Sequence, residues 1–336
     1  MDKLDNIKNL LNKYGSSKEP FLFLLSYDLQ KIYIEKSRNL TKNIKYELNS
    51  FGNSLLKEYF FKKFPLSFLE YKEKFEKVKE QIRAGNSYLL NLTSQTRIET
   101  NLSLDDIYIA SNSLLKLRVK IDDLDFVCFS PEKFVEIIDN KIYTYPMKGT
   151  IDSNIENAKE VLLNCPKEKA EHTMIVDLLR NDLGRVSKNI KVEEFRTFSK
   201  IVTKDKNLLQ TSSKISGELK DVEFFNKIGL THNLLNKDWR DNLGDIMLNL
   251  LPAGSITGTP KKSTIDILKD IENYDRGFYT GVFGIFDGKN LQSFVLIRFI
   301  EKIEDELFYK SGGGITIDSD VKLEYEELIN KVYFPF

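Results

Sequence analysis

Residues 125–145 read DFVCFSPEKFVEIIDNKIYTY, and three strands fit into this one stretch. Asp125–Phe129 is a short apolar run closed by Ser130-Pro131; Lys133–Ile138 is a second and Lys141–Tyr145 a third. Only Asp139 and Asn140 separate the last two. A two-residue connection closes an antiparallel hairpin and is too short to bring a strand back in parallel.

The rest of the chain repeats this grammar. Phe21–Ser26 and Lys31–Glu35 read as strands around the turn Tyr27–Gln30, and Tyr88–Ile98, Val192–Arg196, Leu208–Ile215, Gly281–Phe286, Ser293–Ile300 and Glu306–Lys310 read as strands as well. Phe68, Tyr71, Phe75, Val78 and Ile82 recur at helical spacing, which predicts a helix over Leu66–Ala84 that stops at Gly85. Further helices are expected over Asp105–Leu115, Asn154–Asn164, Lys167–Asn181 (ending before Gly184), Ser263–Ile271 and Lys322–Val332, with an irregular helical pattern over residues 221–250. Gly312–Gly314 is expected to interrupt the strand pattern. There is no regular βαβ alternation. The fold class that follows is α/β in the α+β sense, a large two-sheet, mostly antiparallel sandwich flanked by helices.

Composition narrows the function. The chain has 336 residues, 41% hydrophobic and 12% aromatic, enough for a sizeable core and too apolar for a disordered chain. Fifty basic residues balance fifty acidic ones, so nothing points to a nucleic-acid or anionic-membrane partner. The longest apolar stretch near the N-terminus, Phe21–Leu25, falls far short of a membrane span. Two cysteines, Cys128 and Cys165, are too few for a disulfide scaffold and suit a cytoplasmic setting. Two histidines, His172 and His232, argue against a histidine metal site or a Ser-His-Asp triad.

Several residues carry chemical meaning. Glu171 shares a helical stripe with Met174, Ile175 and Leu178, and Glu327 lies four residues after Leu323 and beside Leu328. A carboxylate facing a core must be paired or bound to a cation. Two readings stay open: joint binding of Mg²⁺, or separate ion pairs with neighbours such as Arg180 and Lys331. The run Gly312–Gly314 permits either close approach of an anion to backbone N–H groups or a tight bend. PAGSITGTPK at Pro252–Lys261 has the wrong spacing for a Walker motif but reads as a glycine-rich turn entering a helix near Pro260, whose N-terminus favours anions. Arg298 sits between Ile297 and Phe299 and needs either a carboxylate ligand or a structural glutamate. Lys148, between Pro146-Met147 and Gly149-Thr150, is on its own an ordinary surface charge. Asp177, Arg180, Asn181 and Asp182 read as a structural charge network.

In order and spacing, these blocks resemble the chorismate-utilising enzymes, which include anthranilate, aminodeoxychorismate, isochorismate and salicylate synthases. The matching stretches are YLLNLT at Tyr88–Thr93, SPEKF at Ser130–Phe134, PMKGT at Pro146–Thr150, AEHTMIVDLLRNDLG at Ala170–Gly184, Pro252–Lys261, Gly281–Gly284 with Arg298, GGGITIDS at Gly312–Ser319 and EYEELINK at Glu324–Lys331. The resemblance implies a reduced N-terminal portion over residues 1–65, packed into the same domain, and a catalytic domain over 66–336. Within the family, isochorismate and salicylate synthases carry a lysine where this chain has Leu89, and anthranilate synthases carry alanine where it has Lys148. Aminodeoxychorismate synthases carry lysine there, so the chain resembles that branch, which serves 4-aminobenzoate and folate synthesis.

The resemblance implies a set of roles. Lys148 is the nucleophile and Glu132 the acid; Glu171 and Glu327 hold Mg²⁺; Arg298 and the N–H groups of Gly313 and Gly314, with Gly312, hold a carboxylate; Thr150, Lys261 and Lys331 are further substrate contacts. Chorismate and ammonia are the reactants, with ammonia supplied by a separate glutamine amidotransferase subunit. Gln210 stands where relatives often carry a histidine linked to pyruvate elimination, so a separate aminodeoxychorismate lyase is expected downstream. The short region before Leu66 implies no tryptophan regulation, and residues 220–251 look like a local insertion. Anthranilate synthesis is the alternative reading. A non-catalytic chorismate-binding paralogue, marked by loss of Glu132, Lys148, Glu171 or Glu327, is a further one, and all four are present.

Overall fold

The structure is a computed structural model that describes residues 3–37, 43–50, 52, 58–202, 207–219 and 238–336. His232 and the irregular pattern up to residue 237 lie outside the described residues. The chain forms two units, each assembled from three separate stretches.

The first unit takes Met1–Asn39, Glu132–Ser255 and Gly281–Val295. Its sheet runs in spatial order Met147–Asp152, Asn207–Leu219, Lys141–Thr144, Lys133–Ile138, Leu291–Val295, Val282–Phe286, Phe21–Leu25 and Ile32–Lys36, with Ser187–Val202 also paired to Asn207–Leu219. Its pairs are antiparallel. Phe21–Leu25 is buried at all five positions, as an inner strand covered on both faces should be. Asp139 and Asn140 both take positive φ, 47° and 63°, the turn geometry that a tight hairpin needs and that Asp and Asn tolerate. Helices Lys3–Ser17, Ala158–Asn164, Pro166–Val186 and Leu243–Leu250 complete the unit among the described residues.

The second unit takes Leu40–Pro131, Ile256–Thr280 and Leu296–Phe336. Its sheet runs Gly258–Thr259, Leu89–Thr100, Glu306–Ile315, Phe299–Ile303, Leu124–Ser130, Ser113–Ile121 and Ile44–Ser50, with Phe61–Phe64 on Leu89–Thr100, again antiparallel. Helix Phe68–Arg83 starts in a capping box, with Ser67 and Glu70 satisfying each other's backbone N–H groups. Its stripe of Tyr71, Phe75, Val78 and Ile82 packs with Leu90, Leu92, Leu268, Ile271, Ile315 and Leu328 in one cluster. Four such side chains at roughly 1.5–3 kcal/mol each hold the helix down far more firmly than its intrinsic propensity.

Five sequence expectations are corrected. The helix expected over Asp105–Leu115 ends at Ala110, and Ser113–Ile121 is a strand, because Leu115, Leu117 and Val119 alternate into the core. The helix expected to stop before Gly184 runs on to Val186. The helix expected from Asn154 starts at Ala158. The strand expected over Ser293–Ile300 is two, Leu291–Val295 in the first unit's sheet and Phe299–Ile303 in the second's, with Arg298 at φ 55° in the break. Gly312–Gly314 does not interrupt a strand: all three lie within Glu306–Ile315, opposite Thr93, Leu92 and Asn91.

Candidate active site

In the first unit the predicted residues gather on one strand and one helix. Between Met147 and Thr150 the register of strand Met147–Asp152 slips against Asn207–Leu219, so Lys148 and Gly149 bulge out of the ladder. Gly149 takes φ +85°, a left-handed conformation that strains a residue with a side chain. Helix Pro166–Val186 brings Glu171 to the bulge. Lys148 Nζ donates to Glu171 Oε2 at 3.1 Å, and the two side chains are 28% and 14% exposed. Lys167 Nζ stands 3.9 Å from the other carboxylate oxygen. Arg180, the partner considered from sequence, pairs with Asp177 instead.

Glu132 precedes strand Lys133–Ile138. Its carbonyl accepts from Val295 N–H at 3.2 Å, and its Oε1 accepts from Ser255 Oγ at 2.5 Å. Ser255 went unnoticed in the sequence although it lies inside the PAGSITGTPK block. Thr150 is exposed and faces Gln210 across the ladder; the Gln210 Oε1 is buried without a partner among the described residues.

In the second unit, backbone direction decides what the glycines offer. Asn91 N–H donates to Thr257 O, Asn91 O accepts from Arg276, and Thr93 N–H donates to Glu272 Oε1. Asn91 and Thr93 therefore point away from the glycine strand, and so, in an antiparallel ladder, do the groups of their partners Gly314 and Gly312. Lys331 Nζ confirms the direction by donating to Gly312 O at 2.8 Å. Gly313 pairs with Leu92, and its N–H belongs to the ladder. The N–H of Gly313, expected to face a ligand with that of Gly314, is therefore taken up in the ladder, while the N–H groups of Gly312 and Gly314 point away from Leu89–Thr100.

Lys331 Nζ also lies 2.6 Å from Glu327 Oε1. Glu327 is 53% exposed, which corrects the core-facing placement: helix Val321–Asn330 buries Glu324 and Leu328 instead, since packing of Leu328 into the Tyr71 cluster sets its rotation. The buried Glu324 was missed. Its Oε1 accepts from Ser319 Oγ at 2.8 Å. A Cβ at Gly313 would stand 3.5 Å from Glu324 Oε2, 3.9 Å from Glu327 Oε1 and 3.9 Å from Lys331 Nζ, so the bare glycine leaves that polar face open. Glu168 was missed as well; the legible signal was the spacing E-x-x-E, which Glu168-Glu171 and Glu324-Glu327 share and which puts both members on one helix face.

Among the described residues Arg298 forms no ion pair with a carboxylate. Burial opposes its charge, but the hydroxyls of Tyr309, Tyr333 and Tyr279 around it hold the guanidinium above its usual value. Of the two readings of Arg298, the structural glutamate finds no support. Lys261 is buried and opens helix Lys261–Glu272, whose N-cap, Pro260, supplies no side-chain cap.

Among the described residues no three His, Cys, Asp or Glu side chains group as a metal cage. Mg²⁺ needs no such cage, since it takes one or two carboxylates with substrate and water oxygens. Glu171 and Glu327 are hard oxygen donors of that kind, and each is paired with a lysine, Lys148 and Lys331, as the ion-pair reading expected of Lys331.

The family described as chorismate binding enzyme matches residues 33–336. The chain belongs to this family. An uncharacterised PabA-like protein of Haemophilus influenzae is 44% identical over 329 residues, 96% of this chain and 94% of that one. Aminodeoxychorismate synthase component 1 of Bacillus subtilis is 31% identical over 270 residues, 77% of this chain and 53% of the relative, so the chain spans about half that relative's length. Anthranilate synthase component 1 of Aquifex aeolicus is 30% identical over 88% of this chain and 59% of its own. Among solved chorismate-binding enzymes, the menaquinone-specific isochorismate synthase MenF of Escherichia coli superposes with a TM-score of 0.71 at 14% identity, covering 98% of this chain and 81% of its own. The two antiparallel sheets with their helices are thus this family's fold.

Proposed function

We propose that this chorismate-binding enzyme aminates chorismate to 4-amino-4-deoxychorismate, with ammonia as nitrogen donor and Mg²⁺ as cofactor. The observation that carries the reading is Lys148, set in a bulge and held 3.1 Å from Glu171. Its carboxylate partner is mostly buried, and its neighbour Gly149 is held at positive φ, so this lysine is placed by the fold.

Lys148 first gives up its extra proton to water, which its partial exposure admits. The neutral amine then forms a C–N bond to the substrate ring while the ring C–O bond breaks, and the Glu132 carboxyl proton leaves with the hydroxyl as water. Ser255 suits this role, because a hydroxyl donates to the carboxylate and accepts from the acid. Ammonia next bonds to the carbon that lost its hydroxyl, the Lys148 amine departs, and the new ammonium returns a proton to the Glu132 carboxylate. Arg298 and the outward N–H groups of Gly312 and Gly314 bind a substrate carboxylate. Glu171 and Glu327 would hold Mg²⁺, which when bound would supply Lewis-acid anchoring of the other carboxylate. A separate glutamine amidotransferase supplies ammonia, and a separate lyase consumes the product towards 4-aminobenzoate.

Anthranilate synthesis is the second reading, favoured by the Aquifex relative. Purified chain with chorismate, Mg²⁺ and ammonium separates them: aminodeoxychorismate supports the proposal, and fluorescent anthranilate without added lyase overturns it. Glutamine in place of ammonium should support turnover only when an amidotransferase subunit is added.

A further inference from the structure

An acid at Glu132 needs a fixed direction, and its strand supplies only part of one. The ladder joining Lys133–Ile138 to Lys141–Thr144 ends at the pair Glu136–Tyr143, short of Glu132. On the other side Val295 N–H donates to the Glu132 carbonyl at 3.2 Å. That bond holds the backbone and leaves the long side chain to be oriented by contacts at its carboxyl end.

Ser255 makes such a contact, its Oγ donating to Glu132 Oε1 at 2.5 Å. Because a hydroxyl both donates and accepts, the contact survives the loss and return of the Glu132 proton. Ser255 is itself placed by the residues before it. Ala253 is fully buried, and Gly254 rests directly on helix Pro166–Val186: a Cβ there would stand 2.7 Å from Asp182 Oδ2 and 3.1 Å from Leu178 Cγ, both of them buried residues. The same helix carries Glu171, whose Oε2 accepts from Lys148 Nζ. One helix therefore supports both the turn that meets Glu132 and the carboxylate that meets Lys148.

We infer that Ser255 is a positioning residue: seated on the helix that also places Glu171, it fixes the direction of the Glu132 carboxyl group relative to Lys148. The inference rests on the reading of Glu132 as the acid. Part of PAGSITGTPK then serves proton transfer, whereas its sequence pointed only to an anion-favouring helix entry near Pro260. A positioned acid contributes roughly 100- to 10,000-fold in rate, and misplacement by about 1 Å forfeits on the order of 100-fold.

The test exploits threonine and valine, which share one shape and differ in the hydroxyl alone. With ammonium as donor, Ser255→Ala and Ser255→Val should each lose about 10- to 100-fold in kcat with KM for chorismate unchanged, and Ser255→Thr should recover most of the loss. Equal kcat in the Thr and Val variants, or a loss that merely follows the fall in melting temperature, overturns the inference. Glu132→Gln supplies the second arm, its residual turnover read over long incubations at high enzyme concentration. Glutamine accepts the same hydrogen bond but delivers no acid proton, so in that background the exchange of Thr for Val should change the rate by less than about threefold. A full-sized effect there overturns the inference, because Ser255 would then act on something other than the acid. Glu132→Gln also separates the two levels. If it turns over at the wild-type rate, the acid reading fails; if it is impaired while Ser255→Val keeps full kcat, the positioning role alone fails.

Discussion

A lysine and a histidine in the first unit bear the sharpest predictions at the scale of single residues. Lys148→Ala should abolish amination, down by at least about 1,000-fold as expected for loss of an attacking group, while chorismate binding measured by calorimetry is kept. Undiminished turnover would remove Lys148 from the mechanism. Burial holds His172 down at about 4, against about 6.5 in an unfolded chain. As pH falls, the unfolded state takes up this proton first, so the folded state loses stability between about pH 6.5 and 4 and no further below. At 1.36 kcal/mol per unit the loss approaches about 3 kcal/mol. Urea midpoints measured across this range should converge for wild type and His172→Phe as the pH drops; parallel curves would refute it. Nothing in the spacing of Lys148 and Glu171, 23 residues apart, revealed their contact. It comes from a helix crossing a bulge, and bulges leave no periodic trace in a sequence.

Among elements, the glycine strand separates packing from chemistry. A Cβ at Gly312 would meet Thr93 Cγ2 at 2.6 Å and Leu92 O at 2.8 Å, so Gly312→Ala should cost about 1–3 kcal/mol by overpacking, read as a lower melting temperature. At Gly313 the nearest atom is 3.5 Å away. Gly313→Ala should therefore keep or raise the melting temperature while raising KM for chorismate, because the methyl intrudes on the face of Glu324, Glu327 and Lys331. If both variants lose stability alike, the assignment of that face is wrong. The same strand shows how legibility fails. Three glycines are a poor strand sequence, yet pairing with Leu89–Thr100 overrides propensity. Helix Phe68–Arg83 was legible because period, cap and stop all agree. The break at Arg298 was not, since a left-handed arginine carries none of the marks that glycine would. Glu327 was misplaced because a neighbour's packing fixes which side of its helix faces inward.

At the scale of the whole molecule, charge balance has a direct consequence. With fifty charges of each sign and a pI near 6.8, repulsion between copies is weakest close to neutrality. Solubility in low salt should pass through a minimum near pH 6.8 and rise on both sides, a trend that light scattering against pH checks directly. The interleaved chain path has another consequence. The first unit closes only when Leu291–Val295 slots between Lys133–Ile138 and Val282–Phe286, and the second only when Glu306–Ile315 joins Leu89–Thr100. During synthesis, neither sheet has its inner members until Leu291–Val295 and Glu306–Ile315 have left the ribosome. The nascent polypeptide therefore carries unpaired edges until those two strands emerge, and chaperone occupancy should persist up to that point.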